Sequence, residues 1–279
     1  MKIIIAGGTG FVGRALAKEL QAKQHRVEII SRKTHGNWDS ADALDPNFIL
    51  EADVVINLAG AGIADRRWSA ARKSEIIQSR VQTTQKWVNL LQHTPRPITF
   101  IQASAVGYYG SEIHLPPADE ETSPGNDFLS EVCVKWEAPL ASISNPNVRW
   151  CITRFGVVTD EGGGAVKKML PLFRLGFGSA VAPGNQWMNP VSLASVVNVL
   201  IQLIQRPEYS GVFNVVQPQN YTAEGFAKQL GRKLNRPVWF PKVPAWLMRL
   251  VFGEMADVLV KGRKVKSKRL PSSWFIDPF

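Results

Sequence analysis

Seven residues near the amino terminus have the types and spacing of a phosphate cradle: Gly7-Gly8-Thr9-Gly10-Phe11-Val12-Gly13. The apolar run Lys2–Ala6 leads into them and helix-compatible residues continue to about Lys23. The glycines therefore fall at a strand-to-helix turn, where backbone N–H groups and the helix dipole together favour a pyrophosphate. Gly7 allows the tight turn, Gly10 lets phosphates approach the main chain, and Gly13 lets the helix lie close to the strand. Thr9, Phe11 and Val12 fill the loop and join the glycines as candidate dinucleotide contacts. The spacing is G-x-x-G-x-x-G rather than G-x-G-x-x-G.

A second group of candidates sits where the next apolar run ends. Val27–Ile30 is followed by Ser31-Arg32-Lys33, and no acid occurs until Asp39. An acid here would bind a ribose 2′-hydroxyl and repel a 2′-phosphate. Arg32 can instead fork onto a phosphate and stack on adenine, with Lys33 adding charge. The pattern selects NADP over NAD; the alternative is an exposed basic turn. Asn57-Leu58-Ala59-Gly60, read as the end of a fourth strand, brings small residues beside the adenine-side ribose. Arg66, Arg67, Arg72 and Lys73 then crowd the start of a long helix, where cations fail to complement the dipole. Arg67 is a candidate for an anionic ligand, and ion pairs with Asp65 and Glu75 are the other reading of the cluster.

The elements that position these groups follow from hydrophobic periodicity. Short apolar runs alternate with amphipathic stretches, which implies crossover helices around a parallel sheet. Strands are expected at Lys2–Ala6, Val27–Ile30, Asp53–Ile56, Ile98–Ala103, Val148–Thr153 and Val212–Val216. The first helix carries Val12, Leu16 and Leu20 on one face, and the helix after Trp68 carries Ile77, Val81, Thr84, Val88 and Leu91. Further helices are expected at Asp127–Ala141, Val191–Gln205, Ala223–Leu234 and Ala245–Phe252, with long loops around 105–126 and 155–190. The fold class is α/β: a Rossmann-like doubly wound parallel sheet with a small C-terminal substrate-side lobe. Residues 1–155 form the NADP-binding domain. Residues 156–279 form the mixed lobe and C-terminal extension, with 190–217 returning to the first domain.

Composition excludes several function classes. The 279 residues are 45% hydrophobic and 20% charged, ordinary for a chain with a full core. Apolar runs fall far short of the ~20 residues of a membrane span, and the five-residue apolar start is not a signal peptide. Two cysteines, Cys133 and Cys151, cannot form a disulfide framework, which points to a reducing cytoplasm. The net charge of +10 is concentrated in part between Lys261 and Arg269, read as a solvated segment with no aromatic stacking pattern. Neither nucleic acid nor a membrane is expected as a partner. The expected partner is a small-molecule substrate of unknown identity.

The chain resembles the atypical, extended short-chain dehydrogenase/reductases, in particular the "epimerase family" branch of expected nucleoside-diphosphate-sugar epimerases. The resemblance runs almost end to end. It is carried by Gly7–Gly13, by Asn57–Gly60 with Ile63–Trp68, and by Arg72-Lys73 with Ser79-Arg80. It continues through Ser104–Gly110, Pro124–Phe128, Trp136-Glu137, Met169–Pro171 and Gln186-Trp187-Met188, and the last fifty residues look like the branch's own extension. The resemblance implies NADP(H) bound across the strand ends, and a homodimer formed by the helices at 69–92 and 127–141.

Reductases of this group ordinarily use a Tyr-x-x-x-Lys pair as proton relay, with a nearby Ser or Thr on the substrate oxygen. No Tyr-x-x-x-Lys occurs in this chain. By the resemblance, Leu129 stands at the tyrosine position and Cys133 at the lysine position. The candidate catalytic residues that remain are Ser104 at a strand end and Tyr109, beside Tyr108, in the following loop; satisfying a backbone group and aromatic packing are their alternatives. Arg154-x-Gly156 and Trp187 are expected to line the pocket. Relatives tend to carry a Trp-Ile-His-Ile-Asp-Asp-type segment where this chain reads Asn189–Ser195, so an imidazole and two carboxylates are gone, and Ser192 or Ser195 can replace them only as a helix cap. Two functions follow: an NADP(H)-dependent oxidoreductase or nucleotide-sugar-epimerase-like enzyme, or a non-catalytic NADP(H)-binding module that senses redox state.

Overall fold

The computed structural model describes residues 1–31 and 47–277. In strand β1 (Lys2–Ala6), Ile3, Ile4, Ile5 and Ala6 have no exposed surface and Lys2 is half-buried. A run that is apolar on both faces belongs in the middle of a parallel sheet with helices on either side. It pairs in parallel with β2 (Arg26–Ile30) on one edge and β3 (Val54–Asn57) on the other. Next to β3 come β4 (Ile98–Ala105), β5 (Val148–Phe155) and, at the far edge, the strand Gly211–Val215. All five pairings are parallel. Among the described residues the strand ending at Asn57 is third in the chain, not fourth.

Because side chains alternate along a strand, the sheet has two cores. Ile3 and Ile5 face helices α1 (Phe11–Ala22) and Leu193–Gln205, while Ile4 and Ala6 face Trp87, Val88 and Leu91. The latter three residues belong to the long helix after Trp68. After the short helix α2 (Asn47–Leu50), this is α3 (Ala70–Leu91), capped by Ser69, whose hydroxyl accepts from the Arg72 N–H. Of its expected face, Thr84, Val88 and Leu91 are buried and Ile77 and Val81 half-buried, while Ile76, Arg80 and Trp87 are buried beside them. Arg80 can be buried because its guanidinium lies 4.8 Å over the Trp136 ring and donates to the carbonyls of Ala61 and Ile76.

Helix α4 (Phe128–Glu137), capped by Asp127, packs beside α3. The stretch 155–190, expected as a loop, contains β6 (Val157–Asp160) and α5 (Gly164–Arg174). β6 pairs with β7 (Pro190–Ser192), which leads into α6 (Leu193–Gln205) and then β8 (Gly211–Val215). α5 and α7 (Ala223–Lys233) enclose a small separate core around Phe173, Phe226 and Leu230. The C-terminal extension contributes α8 (Ala245–Phe252) and the short α9 (Asp257–Val260). It then returns to the main sheet, where Leu270 and Trp274 join the core under α6.

Candidate functional site

The sheet order β2-β1-β3 means that the chain leaves β1 in one direction and resumes on its other side. Open α/β sheets bind ligands in the crevice at such a switch point. Here it is a cleft of about 690 Å³, lined by Gly7, Thr9, Gly10, Ser31, Leu58, Ala59 and Gly60 and by polar residues of α3, including Ser74, Gln78 and Gln82. Gly7 has φ +78°, and its N–H donates to the Ile30 carbonyl at 2.9 Å. A Cβ at Gly7 would lie 2.8 Å from the Leu58 carbonyl carbon and 2.9 Å from the Ala59 nitrogen. At Gly13 a Cβ would lie 2.5 Å from the Gly7 oxygen. Gly10 is the N-cap of α1, with no side-chain cap and no acid in the first helical turn. The turn is thus open to an anionic group.

Asn57 sets the opposite wall. Its Oδ1 accepts from the Ala59 N–H at 3.2 Å, and its Nδ2 donates to Gln102 Oε1 at 2.9 Å. Arg80 supports the same turn from below through the Ala61 carbonyl at 2.9 Å. Burial draws its guanidinium down to about 10, far above neutral pH, so it stays charged.

The remaining sequence candidates separate. Ser31 is buried at the cleft, whereas Arg32 and Lys33 lie outside the described residues. Phe11 opens α1 and packs on Gly163 at the start of α5, and Val12 is half-buried against the sheet core. Arg67 does not reach the cleft: it donates to the Val251 carbonyl at 2.8 Å and to the Leu250 carbonyl, at the C-terminal end of α8. A guanidinium there satisfies otherwise orphaned helix carbonyls. Lys73 pairs with Glu254, so it and Arg67 anchor the extension, whereas Arg72 makes the expected ion pairs with Glu75 at 2.7 Å and Asp65 at 3.6 Å.

Ser104 and Tyr109 lie in one buried polar network. Ser104, 2% exposed, donates to Glu137 Oε1 at 2.6 Å. Arg154, 4% exposed, grips the same carboxylate with both ends of its fork, Nε to Oε1 at 2.9 Å and Nη2 to Oε2 at 2.6 Å. Its Nη1 donates to the Tyr109 hydroxyl at 2.8 Å, which donates to Asn214 Oδ1 at 2.8 Å. The Tyr108 ring lies 3.4 Å from the guanidinium. Burial pushes the Tyr109 phenol up to about 12 although Arg154 pulls the other way. Burial also works against the Arg154 charge, but Glu137 outweighs it and holds the guanidinium above its ordinary range. Arg154 is therefore a core cation and not a pocket wall, which corrects the sequence reading.

Leu129 and Cys133 both face Gly107 in the loop after β4. The Cys133 thiol donates to the Ala105 carbonyl at 3.5 Å. Burial, reinforced by Glu137, pushes this thiol up to about 12, and burial holds Cys151 at about 11. In the unfolded chain both thiols ionise near 9.0. The stability they contribute is complete below that pH and is lost as pH rises towards 11–12. At pH ~8 iodoacetamide is expected to label neither thiol in the native chain and both in denaturant. Rapid native-state labelling of Cys133 would overturn this assignment.

Sequence reasoning missed Asn57, Glu137 and Asn214 as members of these networks. The available signal was a charged Arg154 inside an otherwise buried strand, because such a charge demands a partner. In the altered segment, Ser192 caps α6 and both Ser192 and Ser195 hold the Ile276 carbonyl, at 2.8 and 3.0 Å. Asn189 clamps the chain at Arg263 and Val265. These side chains tie down the C-terminal extension.

Comparison with known proteins gives a consistent placement. The model of the NAD dependent epimerase/dehydratase family matches residues 3–215, and a domain of unknown function, DUF1731, matches residues 243–275. The chain is 35% identical over 276 residues to the bovine (Bos taurus) epimerase family protein SDR39U1, covering 96% of this chain and 92% of that one. It is 34% identical to a chloroplastic SDR39U1 homologue of Arabidopsis thaliana, covering 95% and 80%. The crystal structure of human SDR39U1 (isoform 2) with NADPH superposes with a TM-score of 0.88 at 30% identity, covering 100% of this chain and 95% of that one.

Proposed function

Because the chain belongs to the NAD dependent epimerase/dehydratase family, we propose that it binds NADP(H) at Gly7–Gly13 and acts as an NADP(H)-dependent, epimerase-like oxidoreductase on a small molecule. The observation that carries the reading is the cradle itself. At Gly7 and Gly13 a single added carbon would strike the chain's own main-chain atoms, so the turn packs tightly on itself and on Leu58–Ala59 and holds the uncapped α1 N-terminus in the cleft wall. The NADPH in the human relative supports the same reading. Hydride exchange is the chemistry NADP(H) supplies when bound. This chain's own part is to hold the pyrophosphate at the α1 N-terminus, the adenosine half between Leu58–Gly60 and α3, and the 2′-phosphate through Ser31 and Arg32. The two free, buried cysteines support a reducing compartment, and a cytoplasmic setting belongs to the same proposal.

One observation favours a second reading. Ser104 and Tyr109 already spend their hydrogen bonds on Glu137, Arg154 and Asn214, so neither is free to relay a proton. In that reading the nucleotide is held without turnover and its occupancy is what the protein reports.

A fluorescence titration with NADPH and NADH, followed by NADPH consumption across a panel of carbonyl compounds, separates these cases. NADPH is expected to bind about tenfold more tightly than NADH or better, the worth of one charge-assisted phosphate contact, and Arg32→Ala to remove the difference. Equal affinities for the unaltered chain would overturn the Arg32 assignment. Turnover establishes the oxidoreductase; tight binding with no turnover across the panel establishes the second reading. No measurable binding of either nucleotide refutes both.

A further inference from the structure

The C-terminal extension presents apolar side chains to solvent in an arrangement that the nucleotide cleft does not use. No residue of α8 is buried. Trp246 is 68% and Leu250 66% exposed, and with Leu247 and Val251 they recur at i, i+4 on one helical face. The opposite face, through half-buried Met248 and Phe252, rests on the molecule, and Arg67 holds the helix end. Just before α8, Trp239 is 71% exposed and its ring lies 4.9 Å from that of Phe240, which meets exposed Phe177 at 5.2 Å. Val243 pairs with Val181, and Pro244 caps α8, so the ring cluster leads directly into the helix. The four rings alone expose on the order of 400–500 Å², at roughly 150–250 Å² for each whole ring. The largest apolar patch on a typical monomer is about 300–600 Å² and is often functional.

Charge identifies the occupant. The segment that carries these rings and α8, residues 232–252, contains five Lys and Arg and no acid of its own; Lys242 pairs with Glu224 and Arg249 with Asp257. Two copies meeting through this face would bring two such surfaces together, and like charges across an interface cost several kcal/mol. Exposed tryptophans and leucines on a segment whose own charges are all positive instead match a bilayer interface, where rings sit at headgroup depth and cations attract lipid phosphates. We propose that this face docks the protein on a membrane surface rich in anionic phospholipid, with α8 and the Trp239–Phe240 cluster seated among the headgroups. This departs from the sequence-based expectation of no membrane partner. Spanning is not involved: among the described residues no helix is long and apolar enough to cross a membrane.

The test is flotation of the full chain with two vesicle preparations, phosphatidylcholine alone and phosphatidylcholine mixed with phosphatidylglycerol. Binding to the mixed vesicles is expected to exceed binding to phosphatidylcholine by about tenfold or more and to weaken with added salt. The pair Trp246→Glu and Leu250→Glu is expected to reduce it by about tenfold or more. NADPH binding and thermal unfolding should be unchanged, since both side chains are two-thirds exposed. Arg236→Gln, which leaves the apolar face intact, is expected to lower binding about fivefold. Equal binding to both vesicle types, or undiminished binding of the Glu pair, would overturn the proposal. So would a solution dimer, seen by light scattering, that the Glu pair dissolves, for that would assign the face to a second copy.

Discussion

Alanine at Gly13 is expected to weaken NADPH binding by about ten- to a hundredfold while leaving the chain folded. The added carbon would sit 2.5 Å from the Gly7 oxygen and 2.6 Å from the Gly8 Cα. Both are main-chain atoms, so no side chain can rotate away; either α1 tilts off the sheet or the Gly7–Gly10 turn opens. Overpacking of this kind costs about 1–3 kcal/mol, and each 1.4 kcal/mol taken from the bound state is tenfold in affinity. Gly7→Ala is expected to be at least as severe, because it adds strain at φ +78° to contacts with Leu58 and Ala59. Lys18→Ala, at an exposed position of α1 outside the cleft lining, is the control. An NADPH titration with thermal unfolding of each variant decides the matter. An unchanged affinity for Gly13→Ala in a folded chain would remove the loop from the binding site.

The glycine loop was legible in the sequence because its physics is local. Four consecutive buried residues, a turn and a helix start lie within some twenty positions, and glycine spacing reports backbone approach directly. The same holds for the six strands of the main sheet, whose bounds shift by only a few residues, but not for β6 and β7, which fall where a loop and a helix start were expected. Long-range pairing was not legible. Arg67 at a helix start suggested an anionic ligand, but its partners are carbonyls 183 and 184 positions away. The regular spacing on α3 placed Ile77 and Val81 inward, and it takes the Trp136 ring and the Ala61 carbonyl, both from outside the helix, to explain why Arg80 is buried more deeply than they are. Tyr109 drew attention because its hydroxyl follows a strand end. Its actual role depends on Asn214, 105 positions on, and on an arginine whose burial no periodicity reveals.

That arginine sets the largest expected effect on stability. Removing the carboxylate with Glu137→Ala leaves Arg154 charged and buried, with only the Tyr109 hydroxyl to receive it. Breaking a buried pair in this way costs about 3–5 kcal/mol, because the surviving charge keeps its desolvation penalty. The predicted fall in melting temperature is on the order of 10 °C for a domain of this size. Replacing both partners, Glu137→Leu with Arg154→Met, is expected to recover much of the loss, since no charge remains to be satisfied. Ser104→Ala deletes one hydrogen bond to Glu137 and is expected to cost about 1 kcal/mol. Tyr109→Phe strands both Arg154 Nη1 and Asn214 Oδ1 and is expected to cost about 1–3 kcal/mol. If Ser104 and Tyr109 were chemical groups, the order would differ: their loss would abolish turnover with little change in stability, and Glu137→Ala would act through them. Denaturant unfolding of the four variants, beside any turnover found in the carbonyl panel, separates a structural network from a catalytic one. A Glu137→Ala chain as stable as the unaltered protein would show that Arg154 finds another partner or reaches solvent, and would return both hydroxyls to the list of groups available for chemistry.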